Sequence, residues 1–211
     1  PRLRDPQAYL REVKYTSLAW KERGVDQLAR WLTTAGNNHI VAYRFDWDEQ
    51  GKANGIDLAV ALGAAHGVEM AFVFGDFDSG YMPAEFYAAS EGKQQLADSM
   101  TAYWSQFAAT GDPGTGSNGS QPQWLAWGVE GKTMLILDTP SDQGIHMTGG
   151  EVSAASIKAA LLADGEIASN EERCRLYAVT FNRGRHFDAA EFASFGEQGC
   201  AEFDPAALRR L

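Results

Sequence analysis

Gly63-Ala64-Ala65-His66-Gly67-Val68-Glu69-Met70-Ala71-Phe72-Val73-Phe74-Gly75 sets a histidine among small residues immediately ahead of an apolar run. With Ala65 and Gly67 as neighbours, the imidazole of His66 is uncrowded and can turn towards a reacting centre. Upstream, the run from His39 to Trp47 is rich in β-branched and aromatic residues and reads as strand. His66 therefore lies on a connection between two elements that burial would hold still, the place where proteins tend to mount catalytic groups. A histidine taken at random is more often a surface or hydrogen-bonded structural group, yet it is also the side chain whose ordinary pKa best suits proton transfer near neutrality.

The chain around this segment alternates helix and strand. From Tyr15 to Ala35, the apolar residues Leu18, Trp20, Val25, Leu28, Trp31 and Leu32 predict a helix interrupted at Gly24 and stopped at Gly36. Ile40 to Trp47 predicts a strand, bounded by Asn37-Asn38 and by an acidic, glycine-containing loop. Between Lys93 and Thr110, Leu96, Met100, Tyr103, Trp104 and Phe107 recur at helical spacing, and Gly111-Asp112-Pro113 ends the helix with a glycine cap and a proline that cannot continue it. Gly111 to Gln123 reads as a loop, Met134 to Leu137 as a second short strand and Glu171 to Phe181 as a further helix. No internal repeat is visible. The order predicts an α/β fold, a mostly parallel sheet flanked by helices. Two strands are few for an alternating domain of this length, so the sheet is expected to be incomplete without upstream sequence.

Composition narrows the function. At 211 residues, 45% hydrophobic and 22% charged, the chain is ordinary globular material. A net charge of −10 with scattered Lys and Arg offers no footprint for phosphate backbones and argues against a nucleic-acid partner. No apolar run has the length of a membrane span. The first residues, Pro1-Arg2-Leu3-Arg4-Asp5-Pro6, lack an initiating Met and a signal-peptide core and read as a cut end. His39, His146 and His186 are not spaced with one another, or with carboxylates or Cys, as metal ligands are, so no metal site is expected. Cys174 and Cys200 lie on either side of a turn-rich segment containing Asn182-Arg183-Gly184-Arg185. They admit two readings, a disulfide that would favour a secreted or periplasmic setting, or two buried thiols.

Three ordered blocks carry a family resemblance. Val41-Ala42-Tyr43-Arg44-Phe45-Asp46-Trp47, then the His66 segment quoted above, then Tyr103-Trp104-Ser105-Gln106-Phe107-Ala108-Ala109-Thr110-Gly111-Asp112-Pro113 resemble the C-terminal part of the type B carboxylesterases, the cholinesterase and para-nitrobenzyl esterase family of α/β-hydrolases. The likeness runs over roughly residues 15 to 140; Gly114 stands where Asn is common after Gly-Asp-Pro. It implies that residues 1 to 211 are the C-terminal portion of a single α/β-hydrolase domain. It implies that His66 is the catalytic base of a Ser-His-Glu/Asp triad, that Glu69 is buried nearby and supports it, and that no cofactor is needed. Trp124 and Trp127, beside Pro122, resemble the family's segment after the Gly-Asp-Pro turn and are expected to pack the late strand against the body.

The resemblance places the remaining triad members outside this chain. Enzymes of this fold run Ser, acid, His along the sequence, with the serine on a G-x-S-x-G elbow after a strand. Thr115-Gly116-Ser117-Asn118-Gly119 has Thr at the first glycine position, lies in a polar loop and follows no strand, so Ser117 is rejected as nucleophile. A serine hydroxyl needs an imidazole to take its proton, and the imidazole needs a carboxylate to orient it. The resemblance therefore implies a partner, an N-terminal portion of the same enzyme that carries the serine and the acid, with a small-molecule ester as substrate. Asp46, Asp48, Glu49 and Asp57 precede His66 and are expected to be solvated. Met70, Phe72 and Phe74 are candidates for lining the acyl or alcohol pocket, and equally for core. Two other readings compete: a catalytically silent cholinesterase-like interaction domain, and a stand-alone α/β binding module, which would leave a bare strand edge.

Overall fold

A computed structural model describes residues 5–78, 82, 86, 87, 90–181 and 186–209. Pro1 to Arg4 and the Asn182 to Arg185 stretch between the cysteines lie outside the described residues. The chain divides into two compact units, one formed by residues 1–31 and 151–211, the other by residues 32–150.

In the first unit, Asp5 starts the opening helix. Its carboxylate accepts the Ala8 amide at 3.0 Å, and Pro6 occupies the first turn, where its missing N–H is no loss. Helix α1 (Pro6–Lys21) runs through a π-helical turn, Glu22–Asp26, into α2 (Gln27–Thr34). The helix thus begins well before Tyr15. Its first turns leave Leu10 and Val13 exposed, so capping chemistry sets this boundary without a buried apolar stripe. Gly24 is absorbed in the π turn and does not stop the helix. The buried line is Tyr15, Ala19, Glu22, Asp26 and Ala29, and its two acids are paired: Lys21 lies 2.5 Å from Asp26, which also accepts the Val152 amide at 2.6 Å, and Arg30 and His186 each lie 3.2 Å from Glu22. Helices α6 (Ala154–Ala163), α7 (Asn170–Thr180), α8 (Ala189–Ala193) and α9 (Pro205–Leu208) complete this unit. Its core gathers Tyr15, Leu161, Leu176, Tyr177, Phe192 and Phe195. Cys174 and Cys200 form a disulfide with Cα atoms 5.7 Å apart, which decides between the two readings of the pair.

The second unit holds the sheet. β1 (Tyr43–Phe45) pairs in parallel with β4 (Met134–Leu137), with Arg44 opposite Ile136, and β4 pairs antiparallel with β5 (His146–Thr148). The expected strand from Ile40 to Trp47 is shorter in the fold because its partner has four residues. The ladder extends one bond each way, Leu135 N–H to the Ala42 carbonyl and Asp46 N–H to the Leu137 carbonyl, and then runs out. All four β4 side chains are buried, as a parallel-sheet strand requires. A hairpin of β2 (Lys52–Ala53) and β3 (Ile56–Asp57) turns on Asn54-Gly55, both at positive φ, the signature of a tight two-residue turn. Helices α3 (Leu58–Leu62), α4 (Glu69–Phe74) and α5 (Glu91–Thr110) follow. Helix α5 starts at the Ser90 cap and ends at Gly111 with φ 79, as the sequence requires. The α/β expectation holds in this mixed arrangement of helices around a partly parallel sheet.

The disulfide closes a loop of sequence separation 26, which restricts the unfolded chain by about 3 kcal/mol. Replacing both cysteines with alanine should remove about that much unfolding free energy in urea denaturation. An unchanged midpoint would mean that the packing of this unit makes the crosslink redundant.

Candidate functional site

The site grows from the C-terminal end of β1. Trp47 follows the strand and is fully buried, with its ring 4.9 Å from Phe72 and stacked 5.8 Å from Tyr87. The chain then passes Gln50 and the β2–β3 hairpin into α3, whose first turn is capped by Asp57 accepting the Val60 amide at 3.3 Å. Gly63 ends α3 at φ 53 and ψ −147, a conformation that a side chain would strain. Its carbonyl receives the Ala65 amide at 2.8 Å and the Gln50 side-chain amide at 2.7 Å. Ala65 to Val68 then turn, with Val68 N–H on the Ala65 carbonyl at 3.3 Å, and α4 begins at Glu69.

His66 occupies that turn with its side chain exposed, while Gly67 and Val68 beneath it are buried. The far side of the turn is held by the Tyr87 hydroxyl, which donates to the Val68 carbonyl at 3.4 Å. An accessible imidazole on a firmly backed turn is presented outward, where a reacting group can reach it. Glu69 is half-buried at the first position of α4. Burial, then the negative charge of the nearby Glu69, raise the Tyr43 pKa above its ordinary value. Tyr43 is wedged edge-on against Trp104 and Trp124.

The three candidate pocket residues separate by helical geometry. Met70 and Phe74, one turn apart, share an outer face and are 48% and 70% exposed. Phe72 points the other way and is fully buried, 5.0 Å from Phe45 and 5.1 Å from Phe77.

The four upstream acids each have surroundings of their own. Asp46 forms a two-pronged pair with Arg44, its shortest contact 2.5 Å. Glu49 receives the hydroxyls of Thr139, Ser141 and Ser90 at 2.5, 3.0 and 3.2 Å, so it joins the end of β4 to the cap of α5. Asp57 caps α3. Asp48 is exposed, yet partial desolvation and the nearby Asp142, Glu49 and Asp46 raise its pKa. Sequence reasoning missed Asp138, which follows β4 as Asp46 follows β1 and is 1% exposed. Its pKa is raised by burial and by Asp142 and Asp46, against the lowering effect of amide bonds from Thr139 at 2.7 Å and Gln143 at 3.4 Å. An acid directly after each of two strands was the signal available in the sequence. Sequence reasoning also passed over the individual parts played by Tyr43, which it read only as one residue of a block, and by Gln50, which lies outside every block.

The other candidates fall elsewhere. His39 and His146 are exposed, and His186 pairs with Glu22 in the first unit. Ser117 lies exposed in its loop, with its amide on the Ala102 carbonyl. Trp124 donates its indole N–H to the Ala42 carbonyl at 3.1 Å and packs beside β1. Among the described residues no group of three His, Cys, Asp or Glu side chains could hold a metal ion, and no helix is long and apolar enough to cross a membrane.

Comparison with known proteins places this geometry in context. Residues 14–153 match the carboxylesterase family, a span that contains β1, the His66 turn, Glu69 and all of α5. Among curated proteins, an acetylcholinesterase of Danio rerio is 31% identical over 96 residues, which is 44% of this chain and 14% of that protein. The chain thus matches only a small part of the length of that relative.

Because its raised pKa favours the protonated acid in the fold, Asp138 contributes stability at low pH that is lost as pH rises past the ordinary carboxylate value. Asp138→Asn retains an acceptor for the Thr139 amide and removes the buried charge. It should raise the melting temperature at pH 7 and change it little near pH 3, as thermal melts would show. A lower melting temperature at pH 7 would mean that the two amide bonds outweigh burial and repulsion.

Proposed function

This chain belongs to the carboxylesterase family, and from that premise we propose that it supplies the histidine of a serine ester hydrolase, with His66 as general base and then general acid. Membership supports ester hydrolysis on a small-molecule substrate. What supports His66 in particular is its exposed place on the turn between α3 and α4, backed by Val68 and Phe72 and lying within the matched span.

In this reading a serine outside the chain attacks the ester carbonyl while His66 accepts its proton, and the imidazolium then protonates the departing alkoxide. Water enters next; His66 takes a proton from it as it attacks the acyl-serine and returns that proton to the serine oxygen as the acid leaves. A carboxylate, also outside the chain, holds the second ring nitrogen. Glu69 acts indirectly, as a charge at the start of α4 close to Tyr43 of β1. Met70 and Phe74 offer apolar surface to the acyl or alcohol group, while Phe72 supports them from the core. The 211 residues are the C-terminal portion of one hydrolase domain, and the upstream portion brings the serine, the acid and the oxyanion hole. No step calls for a cofactor.

His66→Ala in the full-length protein should lower turnover of a short-chain para-nitrophenyl ester by roughly 10⁴- to 10⁶-fold with the fold retained. Activity within about tenfold of the parent would remove His66 from the chemistry. Residues 1–211 alone should not take up a fluorophosphonate probe, whereas the full-length protein should be labelled at one serine. Labelling of residues 1–211 would place the nucleophile within this chain, and an unlabelled full-length protein would favour the silent interaction domain.

A further inference from the structure

We infer that Gln50 is a positioning residue for His66, holding through its side-chain amide the loop that presents the imidazole; this rests on the catalytic reading of His66. The loop leaves α3 at Gly63, three residues before the histidine, and the direction it takes depends on where the Gly63 carbonyl points. The unusual backbone of Gly63 turns that carbonyl towards the interior, where Gln50 Nε2 donates to it at 2.7 Å. The Ala65 amide donates to the same oxygen at 2.8 Å, so two bonds converge on one carbonyl. Tyr87 holds the other end of the turn at Val68, and the histidine lies between the two anchors.

Packing alone does not account for an amide at this position. Gln50 is 6% exposed, and its Oε1 is sealed from solvent with no hydrogen-bond partner among the described residues. Methionine or leucine would fill a similar volume without burying an orphan acceptor. The useful atom is therefore Nε2, whose only role seen here is to hold the loop. Gln50 lies three residues after Trp47, which is buried in the aromatic core, so the donor stands close to a fixed base. Proton transfer between serine and imidazole is steep in geometry, and a misplacement of about 1 Å can cost around 10²-fold in rate.

The test is Gln50→Met in the full-length enzyme, assayed beside His66→Ala on a para-nitrophenyl ester with a thermal melt of each. Gln50→Met should lower kcat roughly 10- to 100-fold, leave KM within about twofold and leave the melting temperature equal or higher, because the orphan acceptor is gone. A purely structural role would instead lower the melting temperature and spare kcat in the folded fraction. If Gln50→Met does not fold, Gly63→Ala displaces the same carbonyl from the acceptor side, and the same loss of kcat at unchanged KM supports the inference. A folded variant of either kind with kcat within about twofold of the parent, while His66→Ala is inactive, overturns the role of Gln50 alone. An active His66→Ala overturns the reading of the histidine and this inference with it.

Discussion

Phe72 has no exposure to solvent, and its ring lies 4.9 Å from Trp47 and 5.0 Å from Phe45. That contact joins the one helix that carries Glu69 to the strand and strand extension that run into the sheet. Removing an aromatic ring from such a core costs roughly 3–5 kcal/mol, more than any single hydrogen bond nearby contributes. The hydrogen bonds of the site act on top of this packing. Gln50 and Tyr87 set the path of the turn, but each works only because α4 is already seated on Phe72. The helix then has an inner face that holds it and an outer face, Met70 and Phe74, that is free to meet something else.

The electrostatics of the same region run against stability. Asp46, Asp48, Asp138 and Asp142 crowd the ends of β1 and β4, and burial and mutual repulsion raise the pKa of two of them. Ligands of open parallel sheets bind beyond the carboxyl ends of the strands. Hydrogen bonds soften the crowding: the Arg44 fork takes up Asp46, and Glu49 is surrounded by the hydroxyls of Ser90, Thr139 and Ser141. Glu49 is thereby a joint between strand end and helix cap, and its charge is largely occupied in that task.

The first unit is held by other means. Its helices are short after α1, and its core is completed by the Cys174–Cys200 disulfide and by buried ion pairs on the π-helical turn. Glu22 and Asp26 are acids on a buried helix face, a placement tolerated because Arg30, Lys21 and the Val152 amide reach them. The π turn brings both acids to the same side while accommodating Gly24. Most of this unit, residues 154 onward, lies beyond the span that matches the carboxylesterase family.

The sequence by itself determined the elements whose signals are local. Helix α5 was readable from its spacing and its Gly111-Asp112-Pro113 stop, and β4 from four consecutive large apolar residues. Those signals depend on neighbours within a turn or two of chain. The tertiary structure alone decided the rest. It shortened β1 to the reach of its partner, formed β5 from a run with no alternation, and turned Phe72 inward while leaving Met70 and Phe74 outside. It also brought Gln50 to Gly63, Tyr43 to Glu69, and Cys174 to Cys200. Each of these pairs is a contact between residues at least thirteen positions apart, and such contacts follow from how elements pack, which no local pattern of side chains records.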